Sequence, residues 1–509
     1  MEALVQTKYG QVRGTAAPNG VCAFLGISYA APPVGANRLR PPRPAEPWTG
    51  IRDATLIGPE PPQPQFAMED VSGLLFDPAV MGDDCLNLNI WTPDLGAVGL
   101  PVMVWSPGGA FHYNSGGSYD GSRFARDGVV CVTINWRTGA DGFLYLGEGD
   151  DGANLGLLDQ VAAITWVREN IGAFGGDPDR VTVFGESAGA MSIGDLLSMP
   201  RADGLFRRAA LESGGAHHVI PAAEAARIGA RLAEALGVPA TREEIAQVPV
   251  ARFLEAQAQI DAEVASSPDP ARRGAEVVAS LMPFHPVVDG DVLPAPPIDR
   301  IVSGASADVD ILVGTNADDW RYSPVLGGFI DQITEAVLTG PVETYGFWSI
   351  AAYGLRPETA LPHYRATRFG GAPGDVLGAV MTDWWVRVPA MRLADAHAPA
   401  PGGTFMYEFA WPSPIMGGRL GSCHALEMPF VFDTLDLRHR QMMGGALGAD
   451  PPQELADTMH RAWVDFASKG EPGWPRYDLD RRAVMRFDLT SSVVEDPYAR
   501  ERALWARVR

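Results

Sequence analysis

The segment Val181-Thr182-Val183-Phe184-Gly185-Glu186-Ser187-Ala188-Gly189 constrains this chain more than any other. Val181 to Phe184 is a short apolar run that reads as a buried strand. Ala188 to Leu197 reads as a helix that Pro200 ends. Between them, Gly185-Glu186-Ser187-Ala188-Gly189 fits the strand–turn–helix elbow G-x-S-x-G. The spacing has a steric reason. Side chains two residues before and after the serine would collide with the flanking strand and helix, so glycine at both places lets the turn close. The Ser187 hydroxyl then projects above the sheet, and the first turn of the helix offers free N–H groups to a developing negative charge. The pentapeptide alone is weak, because glycine-rich turns containing serine are common. The flanking strand and helix are what raise it to a functional reading.

Further strands fall into place around this one. Cys85 to Trp91 alternates apolar and polar residues, as a half-buried strand does. Val102 to Trp105 and Val129 to Ile134 are continuous apolar runs suited to strands covered on both faces. A strand near Ala209 to Leu211, another at Val309 to Gly314 and a late one at Thr404 to Phe409 alternate with helical stretches, notably Leu157 to Ile171 and Glu454 to Ser468. The alternation predicts an α/β fold. With no internal repeat and no interdomain linker, residues 1–509 are expected to form one domain. Helical insertions are expected at about 216–300 and 321–400.

Composition limits the function classes. Forty basic against 62 acidic residues give a formal charge of −22, which disfavours phosphate backbones and anionic membranes. No apolar run approaches the ~18 residues of a membrane span, and the first residues carry no secretory signal pattern. Cys22, Cys85, Cys131 and Cys423 lack C-x-x-C spacing, so neither a zinc site nor a disulfide framework is expected. The adjacent His217-His218 pair does not readily turn both rings to one metal. The expectations are no metal, no cofactor, no nucleic-acid or membrane partner, and a cytoplasmic location.

Acyl transfer by serine needs a base, an acid that orients it, and donors for the oxyanion. Where such an elbow sits on an α/β sheet, the acid follows the serine in the chain and the histidine follows the acid. Asp318 and Asp319 stand directly after the strand that begins at Val309. Five of the nine histidines come later: His363, His397, His424, His439 and His460. His424 lies in the small-residue loop Gly421-Ser422-Cys423-His424-Ala425, whereas His439 lies between arginines and His460 in a helix. Spacing favours His424 and leaves the choice open. Ser106-Pro107-Gly108-Gly109-Ala110-Phe111 follows the strand ending at Trp105, and its small residues would let backbone N–H groups approach a substrate.

Several longer segments carry a family resemblance: Asp84 to Trp91, Thr133 to Arg137, Asn170 to Pro178, Phe184 to Gly189 and His424 to Phe432. In order and content the chain resembles a bacterial-type, intracellular type-B carboxylesterase of the cholinesterase-like group, from about Val5 to Pro475. The resemblance implies an α/β-hydrolase fold: a large, mostly parallel central sheet flanked by helices, with helical insertions over the active site. It implies Ser187 as nucleophile, Asp319 as acid and His424 as base, with an oxyanion hole built from Gly109, Ala110 and Ala188. Gly108, Phe111, His112, Glu186, Phe76 and Trp320 are candidate substrate-binding residues, with ordinary packing the alternative for the aromatic ones.

The chain departs from the family pattern in four places. The acid is Asp319 followed by Trp320 where Glu followed by Gly is usual, so Asp318 stays an alternative. Ala110 replaces the third glycine of the oxyanion loop, and Pro107 stands where His or Tyr is frequent. Cys85 lacks the upstream partner of secreted relatives. Phe76 stands where cholinesterases place a cation-binding tryptophan, which argues against a choline ester. The activity implied is hydrolysis of a small-molecule carboxylic ester by a monomer or homodimer. The alternatives are a same-triad hydrolase for an amide, carbamate or toxin ester, and a non-catalytic binding protein of the same fold. The second is disfavoured because this chain keeps both Ser187 and His424.

Overall fold

The computed structural model describes residues 2–64, 80–113, 115–147, 149, 152–366, 369–437 and 443–508. The expected strands assemble into one sheet that has thirteen strands among the described residues. They are β1 (Glu2–Gln6), β2 (Gln11–Ala16), β3 (Cys22–Ser28), β4 (Ile51–Asp53), β5 (Asn87–Thr92), β6 (Leu100–Ser106) and β7 (Val130–Ile134). These are followed by β8 (Gly176–Glu186), β9 (Arg208–Glu212), β10 (Asp310–Asn316), β11 (Thr404–Phe409), β12 (Ala483–Phe487) and β13 (Ser492–Glu495). The order is β1-β2-β3-β5-β7-β6-β8-β9-β10-β11-β12-β13, with β4 beside β2. From β7 to β12 every neighbouring pair is parallel, and antiparallel pairs lie at both ends.

The parallel centre is where the continuous apolar runs went. β7 and β10 are buried at every residue, as strands covered on both faces by helices must be. Four helices matter below: α1 (Leu155–Asn170), α2 (Ala188–Leu196), α3 (Val250–Ser266) and α4 (Gln453–Lys469). Residues 222–280 and 322–397 contain further helices. Among the described residues no helix is long and apolar enough to cross a membrane.

The expected alternation of β5 is not observed, because all six of its residues are buried. Its asparagines reach the interior by finding partners there, as buried amides must. Asn89 Nδ2 donates to Thr133 Oγ1 at 3.0 Å, and Asn87 Nδ2 donates to the Pro59 carbonyl at 2.8 Å.

Candidate active site

β8 ends at Glu186 and α2 begins at Ala188, so Ser187 alone makes the turn. It does so at φ 56° and ψ −126°, a conformation that a residue with a Cβ holds only when its surroundings impose it. The surroundings are specific. Ser187 N–H donates to the Glu212 carbonyl at 2.9 Å, tying the turn to the end of β9. A Cβ on Gly185 would lie 2.6 Å from the Ser106 carbonyl oxygen, and one on Gly189 2.0 Å from the same atom. Both glycines are there because β6 passes directly against the turn.

The end of β10 and the loop after residue 413 bring the other two groups to this serine. His424 Nε2 lies 2.9 Å from Ser187 Oγ, and His424 Nδ1 lies 2.5 Å from Asp319 Oδ1. Asp319 is fully buried. Its second oxygen accepts from Ser213 Oγ at 2.7 Å and from Asn316 N–H at 2.9 Å, which fixes the carboxylate plane. The carbonyl of Asp319 also accepts from His424 N–H at 2.7 Å. That backbone bond draws the two loops together and brings the aspartate within reach despite its missing methylene. Asp318 does different work. Its Oδ2 accepts from Ser422 N–H at 2.9 Å and its own N–H donates to the Ser422 carbonyl at 3.0 Å, so it pins the histidine loop from the side. Of the two adjacent acids, Asp319 is the one that meets the imidazole.

Three further carboxyls are buried beside these groups. Glu186 Oε1 lies 3.1 Å from His424 Nε2. Glu427 Oε2 accepts from Asn316 Nδ2, and Glu212 Oε1 accepts from Trp463 Nε1 of α4 at 2.7 Å. Burial raises the Glu186 carboxyl well above the usual carboxylate range, and the Glu427 and Asp319 charges add to the rise against the pull of His424. Burial and the Asp319 charge push Glu427 up to about 7. Burial also opposes the His424 imidazolium, but Glu186, Asp319 and Glu427 outweigh it and raise the imidazole to about 10. The sequence carried no signal for Glu212 and Glu427, which stand far from Ser187 in the chain and reach it only through the fold.

In front of the serine is a cavity of about 220 Å³. Of the residues expected there, Gly109, Ala110, Glu186, Trp320, Ser187 and His424 form part of its wall. Tyr113, Met191, Met282, Tyr322, Ser323, Trp385, Ala425 and Met443 complete it. Trp320 stacks on Trp385 with ring centroids 4.2 Å apart and planes 14° apart, and its ring lies 5.9 Å from that of His424. Of the adjacent tryptophans Trp384 and Trp385, the second is therefore a wall residue. The other, Trp384, packs edge-on against Tyr353.

Other expectations fall elsewhere. Phe111 does not line the cavity. At φ 58° its side chain turns inward and packs fully buried against Phe143, Trp136 and His285. His112 does not line it either, because its Nε2 faces Asp261 of α3 at 3.3 Å. Gly108 lies beneath the serine, where a Cβ would stand 3.0 Å from Ser187 Cβ and 2.6 Å from the Glu186 carbonyl oxygen. Ala188 opens α2 immediately after the serine. Among the described residues the N–H groups of Gly109, Ala110 and Ala188 donate to no other group. Phe76 lies outside the described residues, as does His439. His218 is held by Glu276 at 3.0 Å and by the Trp385 carbonyl at 2.8 Å.

Known proteins match this chain over nearly its whole length. The family model described as the carboxylesterase family matches residues 1–505. The chain is 36% identical to the para-nitrobenzyl esterase of Bacillus subtilis (strain 168), covering 98% of this chain and 97% of that one. It is 34% identical to the phenmedipham hydrolase of Pseudarthrobacter oxydans, covering 92% and 91%. The crystal structure of the Geobacillus stearothermophilus carboxylesterase EST55 at pH 6.2 matches with a TM-score of 0.82 at 36% identity, over 99% of both chains.

Proposed function

We propose, given that the chain belongs to the carboxylesterase family, that it cleaves uncharged carboxylic esters through an acyl-enzyme on Ser187. The observation that carries this reading is the line Ser187 Oγ, His424, Asp319, joined at 2.9 and 2.5 Å through the two nitrogens of one imidazole. His424 Nε2 takes the proton as Ser187 Oγ attacks the ester carbon, and Asp319 holds Nδ1–H and stabilises the imidazolium that forms. Glu186, 3.1 Å from the same Nε2, adds to that stabilisation.

The negative charge on the tetrahedral oxygen falls to the N–H groups of Gly109, Ala110 and Ala188. Among the described residues no other group occupies them, so they stand ready to meet it. The imidazolium then protonates the leaving alcohol. Water, activated by the same histidine, releases the acid.

Wall chemistry sets the substrate class. The wall is mostly apolar, with the hydroxyls of Tyr113, Tyr322 and Ser323 and the Glu186 carboxyl as its polar groups outside Ser187 and His424, and with no cationic side chain among the lining residues to pair an anionic substrate. At about 220 Å³ the cavity holds one compact acyl or alcohol group beside the serine. A reducing, cytoplasmic setting accords with four cysteines that are all buried and unpaired.

The test is Ser187→Ala with a short-chain aryl ester. Triad members act as a unit, so kcat should fall by about 10⁴ to 10⁶ with the fold intact. A variant keeping a tenth of the wild-type rate would sink the assignment.

A further inference from the structure

The loop that presents the oxyanion donors is strained and is held in part by its neighbours. Gly109, Ala110 and Phe111 have φ of 127°, 53° and 58°. Consecutive left-handed residues with side chains persist only where neighbours fix them. Inside the loop, His112 and Tyr113 N–H both donate to the Gly109 carbonyl at 2.9 Å. Further supports come from outside. Gly139 N–H donates to the Phe111 carbonyl at 2.5 Å, and Thr138 Oγ1 donates to the His112 carbonyl at 3.2 Å.

Those outside supports lead to α3. Ala140, next to Gly139, donates its N–H to Gln257 Oε1 of α3 at 2.9 Å. Gly139 itself sits at φ 55°, and a Cβ there would lie 2.3 Å from the same oxygen. The buried Gln257 amide is thus packed onto the segment that pins Phe111. Four residues on, Asp261 Oδ1 stands 3.3 Å from His112 Nε2. Both atoms are buried and face each other without a hydrogen bond between them, and neither has a hydrogen-bond partner elsewhere among the described residues. Spacing of i and i+4 puts Gln257 and Asp261 on one face of α3.

We infer that Gln257 and Asp261 are positioning residues for the oxyanion loop, with α3 as the brace that fixes the N–H groups of Gly109 and Ala110. The inference rests on the oxyanion role proposed above. Its consequence follows from what such donors do. They stabilise charge that exists only in the transition state, so a loosened loop should lower kcat and leave substrate binding nearly untouched.

The test compares Asp261→Ala, Asp261→Asn, His112→Leu and the double variant Asp261→Ala/His112→Leu. The readouts are kcat and KM on 4-nitrophenyl acetate, and affinity for an aryl trifluoromethyl ketone and its methyl ketone counterpart. The trifluoromethyl ketone forms an oxyanion adduct with the serine. Asp261 is partly exposed, so its variants keep a folded background, which a melting curve verifies.

The expected result is a loss of about tenfold in kcat and a matching loss of trifluoromethyl ketone affinity for Asp261→Ala and for His112→Leu, with KM nearly unchanged. Asp261→Asn, which keeps the size and shape of the side chain against His112, should lose less. The double variant should be no worse than the worse single one, since both remove the same contact. Unchanged kcat and ketone affinity in folded single variants overturn the brace, and so do losses that multiply in the double. Failure of the underlying reading looks different: the wild-type protein would then bind the trifluoromethyl ketone no more tightly than the methyl ketone.

Discussion

Glu186 Oε1 stands 3.1 Å from His424 Nε2, the nitrogen that also faces Ser187 Oγ at 2.9 Å. The base therefore serves the nucleophile while resting against a buried carboxyl. Both groups have raised pKa values, Glu186 through burial and His424 because Glu186, Asp319 and Glu427 outweigh the burial that opposes it. Together the pair retains a proton to a higher pH than an isolated imidazole would.

Replacing the Glu186 carboxyl should move the acidic limb of the pH–rate profile. His424 acts as base only when neutral, so activity rises as pH passes its pKa. Without this carboxyl, the imidazolium loses a buried acidic partner 3.1 Å away and the pKa falls. Glu186→Gln should therefore shift the acidic limb of kcat/KM to lower pH by roughly one to two units, as expected for a close pair in a protein-like dielectric. The plateau should drop as well, because the transition-state imidazolium is less stabilised. A limb that stays in place, or moves upward, counts against the coupling.

Asp319 and Asp318 should separate sharply under the same substitution. Asp319→Asn replaces the acceptor facing Nδ1–H with a group that can donate, which favours the wrong tautomer. Asp318→Asn keeps an oxygen able to accept from Ser422 N–H. We expect Asp319→Asn to lose at least ~10²-fold more in kcat than Asp318→Asn. Kinetics on one aryl ester suffice, and a more damaged Asp318 variant would reverse the assignment.

How far the sequence alone reaches can be seen at these residues. Strand–turn–helix chemistry made Ser187 legible, because both glycines answer to one steric requirement at the Ser106 carbonyl. The continuous runs of β6 and β7 read correctly, since burial on both faces leaves no polar alternation. Asp318 and Asp319 could not be told apart, because adjacency in the chain hides a difference that only the Ser422 contacts reveal. Phe111 and His112 were misplaced for a backbone reason. Positive φ at Ala110 and Phe111 redirects the side chains that follow, and no residue pattern announces it. Asn87 and Asn89 looked solvent-facing because a buried amide and an exposed one spell the same alternation until the partner is known.

Asp195 offers a test on stability rather than rate. It lies in α2, fully buried, and burial alone raises its carboxyl well above the usual range. A folded-state pKa above the unfolded ~3.9 means that the native state holds the extra proton. The associated stability is whole below that unfolded value and is lost as pH rises through the folded pKa. Asp195→Asn stays neutral throughout. Across that window its stability relative to wild type should grow with pH at up to about 1.4 kcal/mol per unit. Urea midpoints at pH 5 and pH 7 measure it, and a difference independent of pH would show that Asp195 is ionised in the fold.

Ala110 sets how much room the oxyanion loop leaves beside the scissile carbon. It lines the cavity, and at φ 53° its methyl adds both bulk and backbone strain. One methyl in such a pocket is worth about 1–3 kcal/mol of discrimination. The wild-type protein should accept n-butyl and sec-butyl acetates and turn over tert-butyl acetate slowly. Ala110→Gly should raise kcat/KM for the tert-butyl ester about tenfold or more while changing the n-butyl ester little. It should not destabilise the fold, since glycine occupies left-handed φ freely. Matched kinetics on the three acetates decide the matter. If branching abolishes activity and Ala110→Gly restores none, alcohol size is limited by another wall, and Trp320, stacked on Trp385 across the same cavity, becomes the residue to vary next.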